Sequence, residues 1–577
     1  MNTLNELQQR YQALKEERQS WEKDWRLLAE HFLPRKCRME SEAESLTNKG
    51  GLRHNKLDST AFYAMRDLSA GLHGGLTSPA RPWFALTLQD QITSKNSKVR
   101  RWLDDVSERM RFIYHRSNFY NAISSFYAEL ATFGTAFMFE LEDERTVVRF
   151  VPLTAGEYCL DTDASGRVDT VFRSVPMTLR QLEQEFGREK LPENLRNMLE
   201  NSQNWSERFP VVHAVVPAAN WARCKPNMAF ASVYYLEGQG LGSGTKNWGS
   251  KSGGVILREG GFEEFPGFGV RWDITGNDVY GKGPAYDTLA DSVLLQQMSQ
   301  TMLKALHKEI DPPLAAPAGF ENVSLLPGAV NPVNPLNGSA QAIYPIMQVR
   351  HNIQGTYEVI AQIQNKVREG LFNNLFRMLL NSDRRQITAR EVAAREEEKL
   401  ILIGPVLERL NDEFFIPLTS RTFNIMERQN WLPPAPEAIQ NMELNVEFVS
   451  ILAQAQKMVA TGTIEQFAMF VGNVARMYPD ALDSIEVDAM VDNYAEYLGV
   501  ASNMLKGQDK REEERQTRLA QQQQMQQMQQ QMAAVSAAQK LGSARVDNTA
   551  LGSLQNLISS PEAGASLMNL AQNQNGA

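Results

Sequence analysis

The chain has 577 residues, 42% of them hydrophobic and 22% charged, with a formal net charge of −9. That is enough apolar material for about three or four domains with sizeable cores. It argues against a basic nucleic-acid binder of the usual kind, which clusters Lys and Arg to neutralise phosphates, so any DNA contact is expected to be local or loose.

Cys37, Cys159 and Cys224 are far apart and odd in number. They suggest neither a disulfide framework nor a CxxC metal site, and fit a reducing compartment. The first ten residues are polar, so no signal peptide is expected. The densest apolar run, residues 400–407, is interrupted by Gly404-Pro405. It falls well short of the roughly 20 residues of a membrane span, and a soluble protein is expected.

In chain order, Leu4, Leu7, Tyr11, Leu14, Trp21, Trp25, Leu28 and Phe32 keep helical steps of three and four, and Pro34 ends the run. A second helix is predicted over residues 58–71, with a turn at Gly74-Gly-Leu-Thr-Ser-Pro79, then helices over 97–117 and 119–133. From Ala136 to about residue 274 the texture is that of short strands, at 147–151, 168–175, 211–216, 229–236 and 255–257, with a Gly/Ser loop at 238–254.

Helices then return. Tyr286, Leu289, Val293, Gln297, Thr301, Ala305 and Lys308 mark one stripe, with Leu294, Met298, Met302 and Leu306 beside it. About 25 residues give a rod roughly 37 Å long, stopped by Asp311-Pro-Pro313. A Pro-rich module of loops and short strands leads to Tyr344-Pro345. A second rod follows through Ile353, Tyr357, Ile360, Ile363, Val367, Leu371, Leu375 and Leu379.

Residues 380–387 (Leu-Asn-Ser-Asp-Arg-Arg-Gln-Ile) form a polar break, and Thr388-Ala-Arg-Glu391 is a capping-box signature. The helix it opens is predicted to reach about Leu410, bent near Gly404-Pro405. Residues 444–505 read as helical. A charged stretch, 509–518, a Gln/Met tract, 521–532, and a small polar tail expected to be disordered complete the chain.

The patterns that invite an enzyme reading each lack a part. Gly238-x-Gly240-x-Gly242-x-Gly244 is not a dinucleotide or P-loop fingerprint. Asp161-x-Asp163-x-Ser165-Gly166 opens like a calcium loop, but Phe172 stands where a bidentate carboxylate is needed. His73, His213 and His307 have no zinc spacing. Glu396, Glu397 and Glu398 point three ways on a helix. No catalytic residue, metal site or cofactor is expected.

Two rods flanking a Pro-rich module, then a polar break and a capped helix, resemble the stem, clip, stem and channel loop of phage portal proteins. Over about residues 1–505 the wording resembles the head-to-tail connecting protein family of short-tailed phages. The segments that carry this are Asp58-Ser-Thr-Ala with Leu72 and Thr77-Ser-Pro79 before Trp83-Phe84; Phe133-Gly-Thr-Ala136; and Glu264-Phe-Pro266 through Arg271-Trp272 to Tyr280-Gly-Lys-Gly-Pro284. Downstream lie Asp311-Pro-Pro313, Thr388-Ala-Arg-Glu-Val392, Gly404-Pro-Val406 with Arg409-Leu410, Ala453-Gln-Ala-Gln-Lys457 and Tyr478-Pro479.

The resemblance implies an α+β, mainly helical portal-like subunit assembled as a ring, usually a dodecamer. Its parts would be a wing (1–283), a stem helix (284–310), a clip (311–348), a second stem helix (349–380), a channel loop (381–387), wing helices (388–440), a helical crown with the Gln/Met tract (441–541) and a tail (542–577). The implied partners are a terminase motor at the clip, a tail adaptor protein, major capsid and scaffold proteins, and double-stranded DNA in the channel. The location is the portal vertex of the virion, after assembly in the host cytoplasm. Asp383, Arg384 and Arg385 on the loop, with Lys304 and Lys308 on the first rod, are the expected DNA-channel residues. A different virion component, an internal scaffold or a tail adaptor, is the alternative.

Overall fold

The computed structural model describes residues 4–36, 56–88, 97–221, 223–236, 254–310, 314–315, 344–345, 353–373, 403–436, 444–448, 464–476, 478, 486–497 and 508–542. Two compact units are separable, Met1–Val500 and Ala501–Ala577.

Helix α1 (Leu4–Phe32) buries the face that its spacing marks, from Leu7 through Tyr11, Leu14, Trp25 and Leu28 to Phe32. Its first half lies on a sheet, where Leu7, Tyr11 and Leu14 cluster with Phe172, Val212 and Val233. Its second half enters the main core with Trp25, Leu28 and Phe32. Helix α2 (Thr60–Leu76) passes through Gly74-Gly75 and ends beyond the expected Gly71. Leu68, Leu72 and Leu76 continue one buried face, and that burial outweighs the poor helix propensity of the two glycines.

Strand β1 (Phe84–Leu88) and helices α3 (Ser97–Arg116) and α4 (Phe119–Phe133) follow. Trp83 is a core anchor, stacked on Tyr114 and Phe119. The β region holds two sheets. Strands β2 (Thr135–Asp143) and β3 (Val147–Leu153) belong to one. Strands β4 (Tyr158–Thr162) and β5 (Val168–Thr178) begin the other. The sequence pattern did not show the helices that follow, α5 (Leu179–Phe186) and α6 (Glu193–Leu199). A Thr178/Gln181 capping box starts α5. The pair closes its own small core of Leu179, Leu182, Phe186, Leu195 and Leu199.

Strands β6 (Arg208–Pro217), β7 (Phe230–Leu236) and β8 (Val255–Phe262) complete an antiparallel meander in the order β4-β5-β6-β7-β8. Strand β9 (Gly267–Arg271) returns to pair with β2, giving the order β3-β2-β9.

Helix α7 (Pro284–Ile310) is a single rod. Strands β10 (Leu314–Ala315) and β11 (Tyr344–Pro345) pair antiparallel beyond it. Helix α8 (Ile353–Gly370) stops short of the expected Leu380, at a turn where Phe372 takes φ +54°. A left-handed residue cannot continue a right-handed helix. Residues 403–410 are helical and run through a π turn, Asn411–Phe415, into α9 (Ile416–Arg428).

Residues 444–448, expected to be helical, form a strand. Strand β12 (Leu444–Phe448) pairs antiparallel with β1, Phe84 opposite Phe448 and Leu88 opposite Leu444. Leu444, Val446 and Phe448 alternate with Asn445 and Glu447, a period of two that the helical expectation overlooked. Helix α10 (Val487–Tyr497) ends the described part of the first unit, and α11 (Gln508–Gly542) is the described part of the second.

Candidate functional site

The two rods stand on a base made by segments some 150 residues apart. Gly134 caps α4 at φ +72°, and a Cβ there would collide with the backbone of Gly281, Lys282 and Gly283. A Cβ on Gly283 would lie 2.6 Å from Ala131 O. Only glycine permits this backbone-on-backbone contact. Gly281 N donates to Thr135 Oγ1 (2.8 Å) and Trp272 N to Gly134 O (2.8 Å). Buried Tyr280 packs edge-on against Trp25, and its hydroxyl accepts from Leu160 N (3.1 Å). Phe133-Gly-Thr-Ala136 and Tyr280-Gly-Lys-Gly-Pro284 are therefore two halves of one joint, from which α7 departs.

α7 and α8 pack along Leu295, Met298 and Met302 on one side and Ile360 and Ile363 on the other. The rods run antiparallel, since Thr288 lies against Gly370 at one level and Leu295 against Ile360 and Ile363 at the next. The seam is thus Thr288, Leu295 and Met302, spaced by seven. Leu295 was in neither predicted stripe, whereas Leu294 and Tyr357, which were, are exposed.

Asp58 clasps both rods. Gln296 Oε1 on α7 accepts from Leu57 N (2.9 Å) and Asp58 N (3.2 Å), and its Nε2 donates to Asp58 O (2.5 Å). Gln364 Nε2 on α8 donates to Asp58 Oδ2 (2.7 Å), and Thr60 N donates to Asp58 Oδ1 (2.7 Å). Next to it, Lys56 binds Glu30 of α1 at 2.9 Å. Sequence reasoning missed this clasp. An Asp before a helix start is an N-cap signal, but nothing in the sequence marks Gln296 and Gln364 as its partners.

The π turn and the helix after it are tied down by buried charge. Arg271 Nη2 donates to Glu413 Oε1 (2.6 Å) and to Gly166 O (2.7 Å), while Arg271 N donates to Glu413 Oε2 (2.9 Å). Arg421 Nε donates to Glu140 O (3.0 Å), and its Nη1 pairs with Glu264 (3.2 Å). Glu140 is fully buried, and desolvation, opposed by Arg421 and Thr422, pushes its carboxyl up to about 8.

Thr422 Oγ1 lies 2.7 Å from Glu140 Oε1, to which it donates, 2.9 Å from Tyr114 OH and 2.9 Å from Leu418 O. Among the described residues Glu140 Oε2 has no hydrogen-bond partner.

Of the expected channel residues, Lys304 and Lys308 are exposed on α7. Lys304 is nine residues from Leu295, two and a half turns, so it faces away from α8, and Lys308 lies one turn further on the same face. Asp383, Arg384 and Arg385 lie outside the described residues. Trp272 is buried against the joint, beside Phe372. His213 is stacked on Tyr234 at 3.9 Å, accepts from Arg173 and bonds Ser232, a sheet-core arrangement. Among the described residues no group of three His, Cys, Asp or Glu could hold a metal ion. No described helix is long and apolar enough to cross a membrane.

Residues 4–505 match the model of the bacteriophage head to tail connecting protein family. The probable portal protein of Bordetella phage BPP-1 is 35% identical over 544 residues, 92% of this chain and 94% of that one. The portal protein of Salmonella phage epsilon15 is 35% identical over 562 residues, 95% of this chain and 97% of that one. The chain belongs to the head to tail connecting family. Its role is that of a phage portal protein.

Proposed function

We propose that the protein works as a closed ring, a dodecamer as the family resemblance implies, at the unique vertex of a capsid. Double-stranded DNA enters through its channel during packaging and leaves through it on ejection, and the ring joins head to tail. The observation that carries this is the match along nearly the whole chain, shared with two phage portal proteins. The joint, the clasp and the paired rods support it physically, because they give each subunit a stiff two-helix projection fixed to a broad body.

In this proposal α7 and α8 are the stem, residues 311–348 the clip that receives a terminase motor and then a tail adaptor protein, and residues 381–387 the channel loop. The body around the two sheets is the wing, which meets capsid and scaffold proteins, and the helical C-terminal part is the crown. The protein is a virion component assembled in the host cytoplasm and has no catalytic activity or cofactor of its own. At −9 per chain, a dodecamer carries on the order of 100 negative charges, which disfavours gripping DNA, while local rings of Lys304, Lys308, Arg384 and Arg385, moderated by Asp383, guide it.

Native mass measurement and negative-stain imaging of the purified chain test this. The expected result is a closed oligomer with an axial hole and no ATP turnover. A monomer at every concentration and salt, or a filament without a hole, would overturn it.

A further inference from the structure

One face of the five-stranded sheet carries a polar row between two apolar cores. Arg173 of β5 stands opposite His213 of β6, His213 opposite Tyr234 of β7, and Tyr234 opposite Arg258 of β8. Cross-strand partners project from the same face. On β6 itself, Val215 joins the main core and Val211 the small core of α5 and α6, with His213 between them.

The row is built around one guanidinium. His213 is 1% exposed. Its Nδ1 accepts from Arg173 Nε (3.2 Å), so its hydrogen sits on Nε2, which donates to Ser232 Oγ (2.9 Å). Burial, with Arg173 and Arg258 nearby, holds His213 well below the usual histidine range and keeps it neutral. Tyr234 stacks on the imidazole, and Phe139 of β2 lies under the Arg173 guanidinium, 4.8 Å from its carbon to the ring centre.

These contacts position Arg173, and none of them neutralises it. Arg18, Arg271 and Arg421 are paired with Glu22, Glu413 and Glu264. Arg258, at the other end of the row, is paired with Glu185 at 2.9 Å. Among the described residues Arg173 is half-buried and reaches no carboxylate, and its two Nη nitrogens, unlike Nη2 of Arg421, are not enclosed. Withdrawing a charge from water without a counter-ion is costly, and a fixed, open fork is what recognition of an anion requires.

We propose that Arg173 binds a single carboxylate, that of an acidic side chain on a segment of another protein. His213 occupies the Nε edge, which leaves the Nη1–Nη2 fork, and the two oxygens of a carboxylate match that fork. The surroundings favour a side chain over a nucleic-acid backbone. Phe139 and Val175, two residues along β5 on the same face, are apolar. The next cation of the row, Arg258, is three strands away, about 14 Å, and already paired. A phosphodiester chain is held by several cations at once. The site is independent of ring closure.

The test is arginine modification of the full chain by phenylglyoxal, mapped by peptide mass spectrometry. The competitors are a blocked Leu-Glu-Leu peptide, its Leu-Gln-Leu counterpart, and short duplex DNA. Arg173 should react in the free protein and be slowed at least about fivefold by the acidic peptide alone, while exposed Arg145 and Arg149 are unaffected. Anisotropy of a fluorescent form of the acidic peptide is the second readout, with binding expected to the parent and lost in Arg173→Gln. An unreactive Arg173 would mean that the chain itself covers the fork, and would overturn the proposal. Equal protection by both peptides, or none by either, would overturn it too. Protection by duplex DNA at lower concentration than by the acidic peptide would replace the carboxylate with a phosphate. If Arg173→Gln does not fold, the labelling of the parent decides alone.

Discussion

Gln364 Nε2 donates to Asp58 Oδ2 at 2.7 Å across 306 residues of chain, fixing the second rod to the start of α2. Through Gln296 the same residue holds the first rod. Asp58→Ala removes the acceptor for both Gln364 and Thr60 N, and is expected to cost about 1–3 kcal/mol. Asp58→Asn keeps an acceptor for Thr60 N, and rotation of the Gln364 amide restores the other bond, so it should stay near the parent. Urea unfolding of the three proteins, with proteolysis of the rods as a second readout, checks this. Equal loss in both variants would show that charge, not hydrogen bonding, holds the clasp.

Gly134 and Gly74 should respond in opposite directions to the same change. Gly134→Ala forces a left-handed φ on a side chain that also meets the Gly281–Gly283 backbone, and a loss of at least about 2 kcal/mol is expected. At Gly74, within α2, a Cβ meets nothing within 4 Å. Ala there should raise stability by about 0.5–1 kcal/mol through helix propensity. Thermal melts of the two variants decide it, and a neutral Gly134→Ala would mean that the joint is looser than its contacts indicate.

The joint explains why part of the site was readable and part was not. A helical period is local, so α1 and both rods could be read from Leu7, Tyr11 and Leu14 or from Ile360 and Ile363. Which of Leu294 and Leu295 faces the seam could not be read, because apolar residues on the flanks blur the stripe. The glycine segments around Gly134 and Gly281 could be quoted as motifs, yet their meaning is a contact across some 150 residues. Helices α5 and α6 were hidden by their shortness, and β12 was too brief to stand out against longer helical patterns. Glu140 and Arg421 carry the opposite lesson: charged residues read as surface in a sequence, and only the fold shows them buried together.

Glu140 should make stability pH-dependent, with a defined sign. Its carboxyl is raised from 4.5 to about 8 in the folded chain. The unfolded chain therefore loses this proton first. The contribution to stability is fully present below about pH 4.5 and is lost as pH rises through about 8. Arg421, Thr422 and Arg428 face the same group and temper the effect, while Glu264 adds to it. His31, His73 and His213 are lowered by burial and act in the opposite sense, but equally in parent and variant. Glu140→Gln should melt a few degrees above the parent at pH 8.5–9, by rough conversion, and lose that advantage by pH 5. Parallel melting curves across that range would show that Glu140 is ionised throughout or does not feel its burial.

The proposed guide for DNA can be separated from assembly. Lys304 and Lys308 are exposed on α7 and face away from the α7–α8 seam, so Lys304→Ala with Lys308→Ala should leave ring mass unchanged. Arg384→Ala with Arg385→Ala removes the basic pair of residues 381–387, a polar stretch whose largest apolar member is Ile387. Each cation that meets a phosphate adds a salt-dependent contact, weakened here by the negative field of the assembly. Both double variants should assemble normally and retain less DNA in the filled head, with the larger deficit at low salt, where the parent's contacts are strongest. The measurement is packaged and retained DNA per particle at two ionic strengths, beside native mass of the free ring. Full retention by both variants would remove these residues from the channel, whereas failure to assemble would place them in a subunit contact instead.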